Sequence, residues 1–383
     1  MLPERPVVSA ARLAQLARIG ELTRRNPPAD LAAIIRDELK IDLAASYAGF
    51  SIPHPFGKGS GQLSTTLQQV ESDVEAGLAF AVLKTVIAED EQGSQSMSAW
   101  TVRETRMKVE HRNGWTVTWK GRGWHGTFAE YLGFFRDALG AAPAMPVIPS
   151  VKYHLPAVDE SFREGEYAHA TRSLLAIWER ARGQEPMPIE KDFSPTLAGD
   201  DRGTQQASIL RWLREVPGLV AKHAPGARIG VKVMNALFDD AFQVDMVKAA
   251  AQAGPSFLVA FNRLFDPERK VAYGGYDLSD RNLRVLDLVR DRALPPISAT
   301  GNICSGKMMV EYALRGATSG QLHTFFQLPL SEYSATGGSR TARALHTLML
   351  HPDLGIVAWL WHLNETGTFE ARDGNLHFLD VSR

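Results

Sequence analysis

The sequence predicts an α/β chain folded as a (β/α)8 barrel, and three observations predict it. Short runs rich in Val, Ile and Phe recur eight times, at residues 50–55, 79–86, 146–151, 187–194, 229–234, 257–263, 296–301 and 320–325. Segments with helical periodicity separate them, at 67–76, 127–139, 166–182, 205–223, 241–253, 280–292 and 306–314. Such alternation argues for a parallel sheet, and a span of roughly 270 residues suits eight closed βα units, a TIM barrel. A doubly wound sheet is the alternative architecture.

Three stretches stand outside that rhythm. Residues 9–42 read as helices broken at Asn26-Pro27-Pro28, with Leu13, Leu16, Ile19 and Leu22, then Leu31, Ile34, Ile35 and Leu39, on one face. This spacing predicts an amphipathic helical cap docked on the barrel. Residues 101–120 alternate apolar and polar around Asn113-Gly114, a dipeptide suited to a type I′ turn. They predict a hairpin inserted after the second strand, standing as a lid or wall over the catalytic face. Beyond the eighth run, 340–350 reads as a closing helix, 333–338 as a Ser/Gly linker and 364–381 as a hairpin-like tail. The expected units are a cap over 1–45, the barrel over 46–330 and a C-terminal extension over 331–383.

Composition narrows the functional classes. The 383 residues carry 42 Lys plus Arg against 43 Asp plus Glu, a net charge of −1, so no bulk field draws nucleic acid or an anionic membrane. Mean hydropathy is −0.17, and no apolar run reaches the ~20 residues of a membrane helix. The opening residues lack a secretion pattern. Cys304 is the single cysteine, too few for a disulfide, a thiolate zinc site or an iron–sulfur cluster. The 11 histidines show no zinc-binding spacing. The expectation is a cytoplasmic chain without metal, whose redox chemistry would need an organic cofactor or a partner.

Three groups of residues could carry chemistry. Gly301 and Asn302 follow the seventh run, and His323 and Thr324 end the eighth, where barrels often build a phosphate cradle from backbone N–H groups. Tight βα turns are the plainer reading of the same glycines. Lys84 and Lys232 sit in strand runs, where a lysine is costly unless paired. A flavin would use a cation near N1/O2; pairing with a barrel carboxylate is the alternative. Ser194, before Pro195 at the fourth strand's end, has no His–Asp signature for acyl transfer. Asn262, ending the sixth strand, can read a polar ligand by hydrogen bonding.

Taken together, these segments resemble the dihydroorotate dehydrogenases and the related domain of dihydropyrimidine dehydrogenase. Residues 55–61, Pro-Phe-Gly-Lys-Gly-Ser-Gly, followed by Leu83-Lys84-Thr85-Val86, look like that family's opening. Gly274-Gly275-Tyr276-Asp277-Leu278-Ser279 is similar to its Gly-Gly-Leu-Ser-Gly stretch, and the match is collinear from about residue 49 to 326. The resemblance implies FMN as cofactor, with Gly59 and Ser60 bordering the ring, Lys84 and Thr85 on the flavin or ribityl chain, and Lys232 at N1. It places Gly275, Gly301, Asn302, His323 and Thr324 at the ribityl-phosphate end. Ser194 aligns with the family's proton-transfer residue.

The departures bear on substrate. The family reads orotate with several asparagines; here only Asn262 is kept, and the positions flanking Ser194 are Lys191 and Thr196. A further asparagine segment reads Thr118-Trp119-Lys120-Gly121-Arg122-Gly123-Trp124. Amide readers do not exchange for lysine or tryptophan without leaving substrate groups unpaired. The expected substrate is therefore not orotate but a more anionic or differently shaped planar molecule, held by Asn262, Lys191, Thr196 and Arg122. The expected reaction acts on a C–C or C=C bond beside a carbonyl, with an electron donor or acceptor as partner and possible homo-oligomers. A true dihydroorotate dehydrogenase, and a flavin-free phosphometabolite isomerase, lyase or binding barrel, stand as the alternatives.

Overall fold

A computed structural model describes residues 1–101, 108–111, 114–119, 121–193, 206–266, 271–274, 276–290 and 292–382. Ten strand segments form one parallel sheet. They make eight barrel strands, because two are interrupted: strand one Phe56–Lys58, strand two Ala81–Val82 with Val86–Ile87, strand three Val147–Ile148 with Ser150–Lys152, and strand four Pro188–Asp192. Strand five is Arg228–Met234, six Phe257–Asn262, seven Ile297–Thr300 and eight Ala317–Leu322. Each pairs with the next, and Leu322 pairs back to Lys58, which closes the ring.

Helices Leu67–Glu75, Phe128–Ala141, Glu164–Arg182, Gln206–His223, Asp240–Gln252, Tyr276–Val289, Gly306–Ala313 and Arg340–Leu350 follow the strands in turn. Their starts are written in the sequence. Thr66 and Thr127 make reciprocal capping boxes with Gln69 and Glu130, and Asp239, Ser305 and Ser339 cap by side chain alone.

Three expectations are corrected. Residues 50–55 are not the first barrel strand: Phe50–Ile52 pairs antiparallel with Ala45–Tyr47. Ala48 and Gly49 both take positive φ, 49° and 81°, which turns the chain into a hairpin and displaces the barrel strand to Phe56–Lys58. This hairpin meets the N-terminal end of the barrel, where Tyr47 stacks on Phe80 at 3.8 Å and Thr318 donates to Ser46 O at 2.9 Å. The eighth strand begins earlier than expected, and Phe325–Gln327 is a 3-10 turn. The C-terminal tail is hairpin-like only at the Arg372–Asn375 bridge; beyond it Leu376–His377 pairs parallel with Ile41–Asp42.

Around the opposite end stand two further hairpins. Lys108–His111 pairs with Gly114–Trp119, and Leu264–Asp266 with Val271–Gly274; Ala272 pairs in turn with Trp119. The insertions after strands two and six thus share one four-stranded antiparallel wall. Among the described residues, no helix is long and apolar enough to cross a membrane.

The N-terminal helices Ala10–Thr23 and Leu31–Leu39 dock through close backbone approaches. Gly77 has φ +73°, and a Cβ there would lie 1.9 Å from Ala29 O. Gly77→Ala is expected to cost about 2–3 kcal/mol, from overpacking together with an unfavourable left-handed backbone. Gly254→Ala, at φ +70° with nothing within 4 Å, should cost only about 1 kcal/mol. Urea denaturation midpoints of the two variants check the difference; equal midpoints would refute the close-packing argument.

Candidate functional site

At the C-terminal ends of strands one, six, seven and eight lies a cleft of about 780 Å³, partly open to solvent. Gly59, Ser60, Lys232, Asn262, Gly301, Asn302, His323 and Thr324 line it, together with Gly61, Gln62, Arg263, Gln321 and Gln327. Active sites of (β/α)8 enzymes sit on this face, because loops leaving the strand ends converge there.

Polar side chains inside the barrel are tied into one network. Lys232 Nζ lies 3.2 Å from Glu190 Oε1 and donates to Gln321 Oε1 at 3.1 Å and Ser60 Oγ at 3.3 Å. Ser60 Oγ also accepts from Thr85 Oγ1, at 3.1 Å. Thr85 continues to Ser150 at 2.9 Å and Asp192 at 3.4 Å. Asp192 Oδ1 accepts from Asn262 Nδ2 at 3.0 Å, and its other oxygen lies 3.8 Å from Lys152 Nζ. The carboxylate partner of Lys232 realises the structural alternative raised for it.

Charge sets the electrostatics of this interior. Burial alone would raise the Asp192 carboxyl, but Lys152, Lys232, Lys191 and Lys84 outweigh it and hold the group below its usual range. Lys84, only 7% exposed, is pushed down to about 7 by burial first, then by Lys152 and Arg263, against the attraction of Asp192. It sits behind the cleft wall rather than on it.

The loop after strand seven takes its shape from Gly301 at φ +109°, where a Cβ would come 2.5 Å from Asn282 Nδ2. Asn302 also has positive φ, 53°, and donates to Ser279 Oγ at 3.1 Å. The backbone N–H groups of Gly301 and Thr324 find no acceptor among the described residues. His323 Nε2 accepts from Gln62 N–H at 3.2 Å, so Nδ1 carries the ring proton and faces the Gln327 carboxamide at 2.7 Å. Nε2 is the amide atom nearest the ring and Oε1 has no partner among the described residues, so exchanging the two would let the oxygen accept the Nδ1 proton. Burial, then the Arg263, Lys84, Lys232 and Lys58 cations, hold His323 well below its ordinary value, hence neutral. Both polar atoms of the Gln62 side chain are buried without a partner among the described residues.

Lys191 departs from its expected place. Side chains alternate along a strand; Glu190 and Asp192 face the interior network, which turns Lys191 to the other face. There its Nζ lies 4.6 Å from the Phe193 ring centre and donates to Asp192 O at 3.1 Å. Arg122 belongs to the segment Gly121–Arg122, paired with Trp100–Thr101. Trp124 stacks on Phe134 at 5.3 Å and 8°, in line with core packing. Ser194, Thr196 and Gly275 lie outside the described residues.

Asp192, Glu190, Lys152, Gln321, Gln62 and Arg263 were not singled out from the sequence. For the strand residues the available signal was period-two alternation about Lys191, which sets Glu190 and Asp192 on one face.

Fold and site define a closed α/β barrel with a polar, cation-rich cleft at the C-terminal ends of its strands. No family model matches the sequence, and no curated protein matches it. Among solved structures the chain is similar to a dihydroorotate dehydrogenase (DHODH) of Eimeria tenella, solved in complex with ferulenol. That similarity covers 100% of this chain and 96% of the other, with a TM-score of 0.57 at 12% sequence identity. The likeness establishes a DHODH-like fold.

Proposed function

We propose that the protein is an FMN-dependent oxidoreductase of the dihydroorotate dehydrogenase type, acting on a C–C or C=C bond beside a carbonyl. The observation that carries this reading is the placing of Ser60 and Lys232 in one cleft with the open N–H groups of Gly301 and Thr324. The residues present fit the cofactor. Those N–H groups suit a phosphate, and the unpartnered Gln62 carboxamide offers a donor and an acceptor to a polar ring edge.

When bound, FMN supplies hydride exchange at N5. The chain's own residues do the rest. Lys232, fixed by Glu190 and Gln321, is the cation assigned to the ring's N1 side; Thr85 orients Ser60 beside it. Gly59 and Gly61 let the backbone approach closely, since a Cβ at Gly61 would meet His323 at 2.3 Å. Ser194 is assigned the proton transfer at the carbon next to the hydride position, on the strength of the family resemblance. The substrate reads as a small anionic molecule other than orotate, with a separate electron donor or acceptor.

Purified protein is expected to be yellow, or to become so on incubation with FMN, holding one flavin per chain and bleaching anaerobically with substrate. Protein that stays colourless after FMN incubation would overturn the reading in favour of a flavin-free barrel.

A further inference from the structure

The side chain that the network leaves over is Arg263. It follows Asn262 at the end of strand six and lines the cleft. Its side chain engages no carboxylate and makes no hydrogen bond among the described residues. Its stem lies along the hairpin wall, where a Cβ at Gly274 would come 3.2 Å from Arg263 Cγ. Its neighbour Asn262 is committed inward: Nδ2 donates to Asp192, and Oδ1 accepts from the Arg263 N–H at 2.9 Å. Among the described residues on that side of the cleft, the Arg263 guanidinium is a donor group still available.

A guanidinium remains charged in any protein setting, and its five N–H groups match the oxygens of a carboxylate or phosphate in pairs. In its half-buried position the guanidinium gains from an oxyanion through paired, charge-assisted hydrogen bonds. The surrounding charge sharpens the argument. Lys232 is paired with Glu190, and Lys152 lies 3.8 Å from Asp192, so the interior carboxylates near Arg263 are already engaged by other cations. Burial lowers the Arg263 guanidinium and Asp192 attracts it, yet Asp192 is already shared by Asn262, Thr85 and Lys152. An incoming oxyanion would give the Arg263 guanidinium a counter-charge of its own.

We propose that Arg263 is an oxyanion anchor of the cleft, taking a carboxylate or phosphate group of the bound ligand in a paired hydrogen bond. This rests on the cleft being the ligand site, whichever cofactor fills it. Two sources share the chemistry, the phosphate of FMN and a carboxylate on the substrate, and the experiment separates them. FMN, riboflavin, inorganic phosphate, succinate and benzoate are titrated calorimetrically into the wild type, Arg263→Gln and Arg263→Lys, with circular dichroism as the check on folding.

In Arg263→Gln, loss of FMN affinity by about 10- to 100-fold with riboflavin unchanged places the phosphate on Arg263. A similar loss for succinate or benzoate with FMN unchanged places the substrate carboxylate there. Arg263→Lys, which keeps the charge but loses the fork, should recover part of the affinity, and it carries the test where Arg263→Gln does not fold. If the wild type binds neither flavin but its phosphate or carboxylate binding depends on Arg263, the anchor stands and the flavin reading fails. Equal losses for charged and uncharged probes, unchanged affinities throughout, or no binding of any probe by the wild type would overturn the proposal.

Discussion

Asp192→Asn is expected to destabilise the protein by about 3–5 kcal/mol at neutral pH, although the side chain keeps its shape. Removing one member of a buried charge cluster leaves its partners uncompensated, and that cost exceeds any hydrogen bond lost. Here the carboxylate faces Lys152, Lys232, Lys191 and Lys84 at once, and it is 6% exposed. It also accepts from Asn262 and Thr85, so the substitution disturbs the cleft wall as well as the core.

The pH dependence has a definite sign. The Asp192 carboxyl is held below its unfolded value of about 3.9. Its stabilisation is therefore complete above that value and disappears as the pH falls through the lower, folded one. Urea midpoints of wild type and Asp192→Asn should differ most between about pH 5 and 7, where the carboxylate and the neighbouring amines are both charged, and converge in strong acid. Superimposed curves at pH 7 would show that the cluster is not the buried, mutually compensated group that the geometry describes.

The placing of that carboxylate shows where the sequence was legible and where it was not. Helix starts and strand runs could be read, because capping residues and apolar periodicity are local signals. The helix Ile356–Glu365 could not: Ile356 through Leu363 are all buried, and a helix apolar on every side carries no amphipathic stripe. Tyr47 to Phe50 misled for a different reason, since two consecutive positive-φ residues make a turn inside an apolar run.

Within the site, Ser60, Asn262, Gly301, Asn302, His323 and Thr324 were legible because each stands at or just past a strand end, and Lys232 because a lysine inside an apolar strand run is unusual; the cleft brings all seven together. Lys191 was placed one residue out of register. In a strand one residue is a change of face, so the inward charges are Glu190 and Asp192. Arg263 and Gln62 had no signal of their own; which charged or amide group on a loop lacks a partner is decided by tertiary packing.

Lys84 gives the second large effect, and it is opposite in sense to an ordinary surface lysine. In the folded chain its amine is pushed down to about 7; unfolded, it returns to about 10.4. Between those values the unfolded chain binds a proton that the folded chain does not, so stability rises with pH, by about 1.4 kcal/mol per pH unit from this residue. The gain is complete only above the unfolded value and is lost as the pH falls toward 7, a total on the order of 4 kcal/mol. Lys191, also pushed down to about 7 by burial against the attraction of Asp192, adds a parallel contribution. Lys84→Met removes one of the two. The variant should be the more stable protein near pH 7, and its urea stability should climb less steeply than the wild type's between pH 7 and 9.5. Parallel slopes would mean that the Lys84 amine keeps its ordinary value in the folded chain. A bound oxyanion works the other way. By favouring the charged amine it lifts the folded value toward the unfolded one, so ligand should flatten the wild-type slope and leave Lys84→Met less affected. The pH dependence of folding, with and without anion, therefore measures how far burial holds these amines neutral in the folded chain.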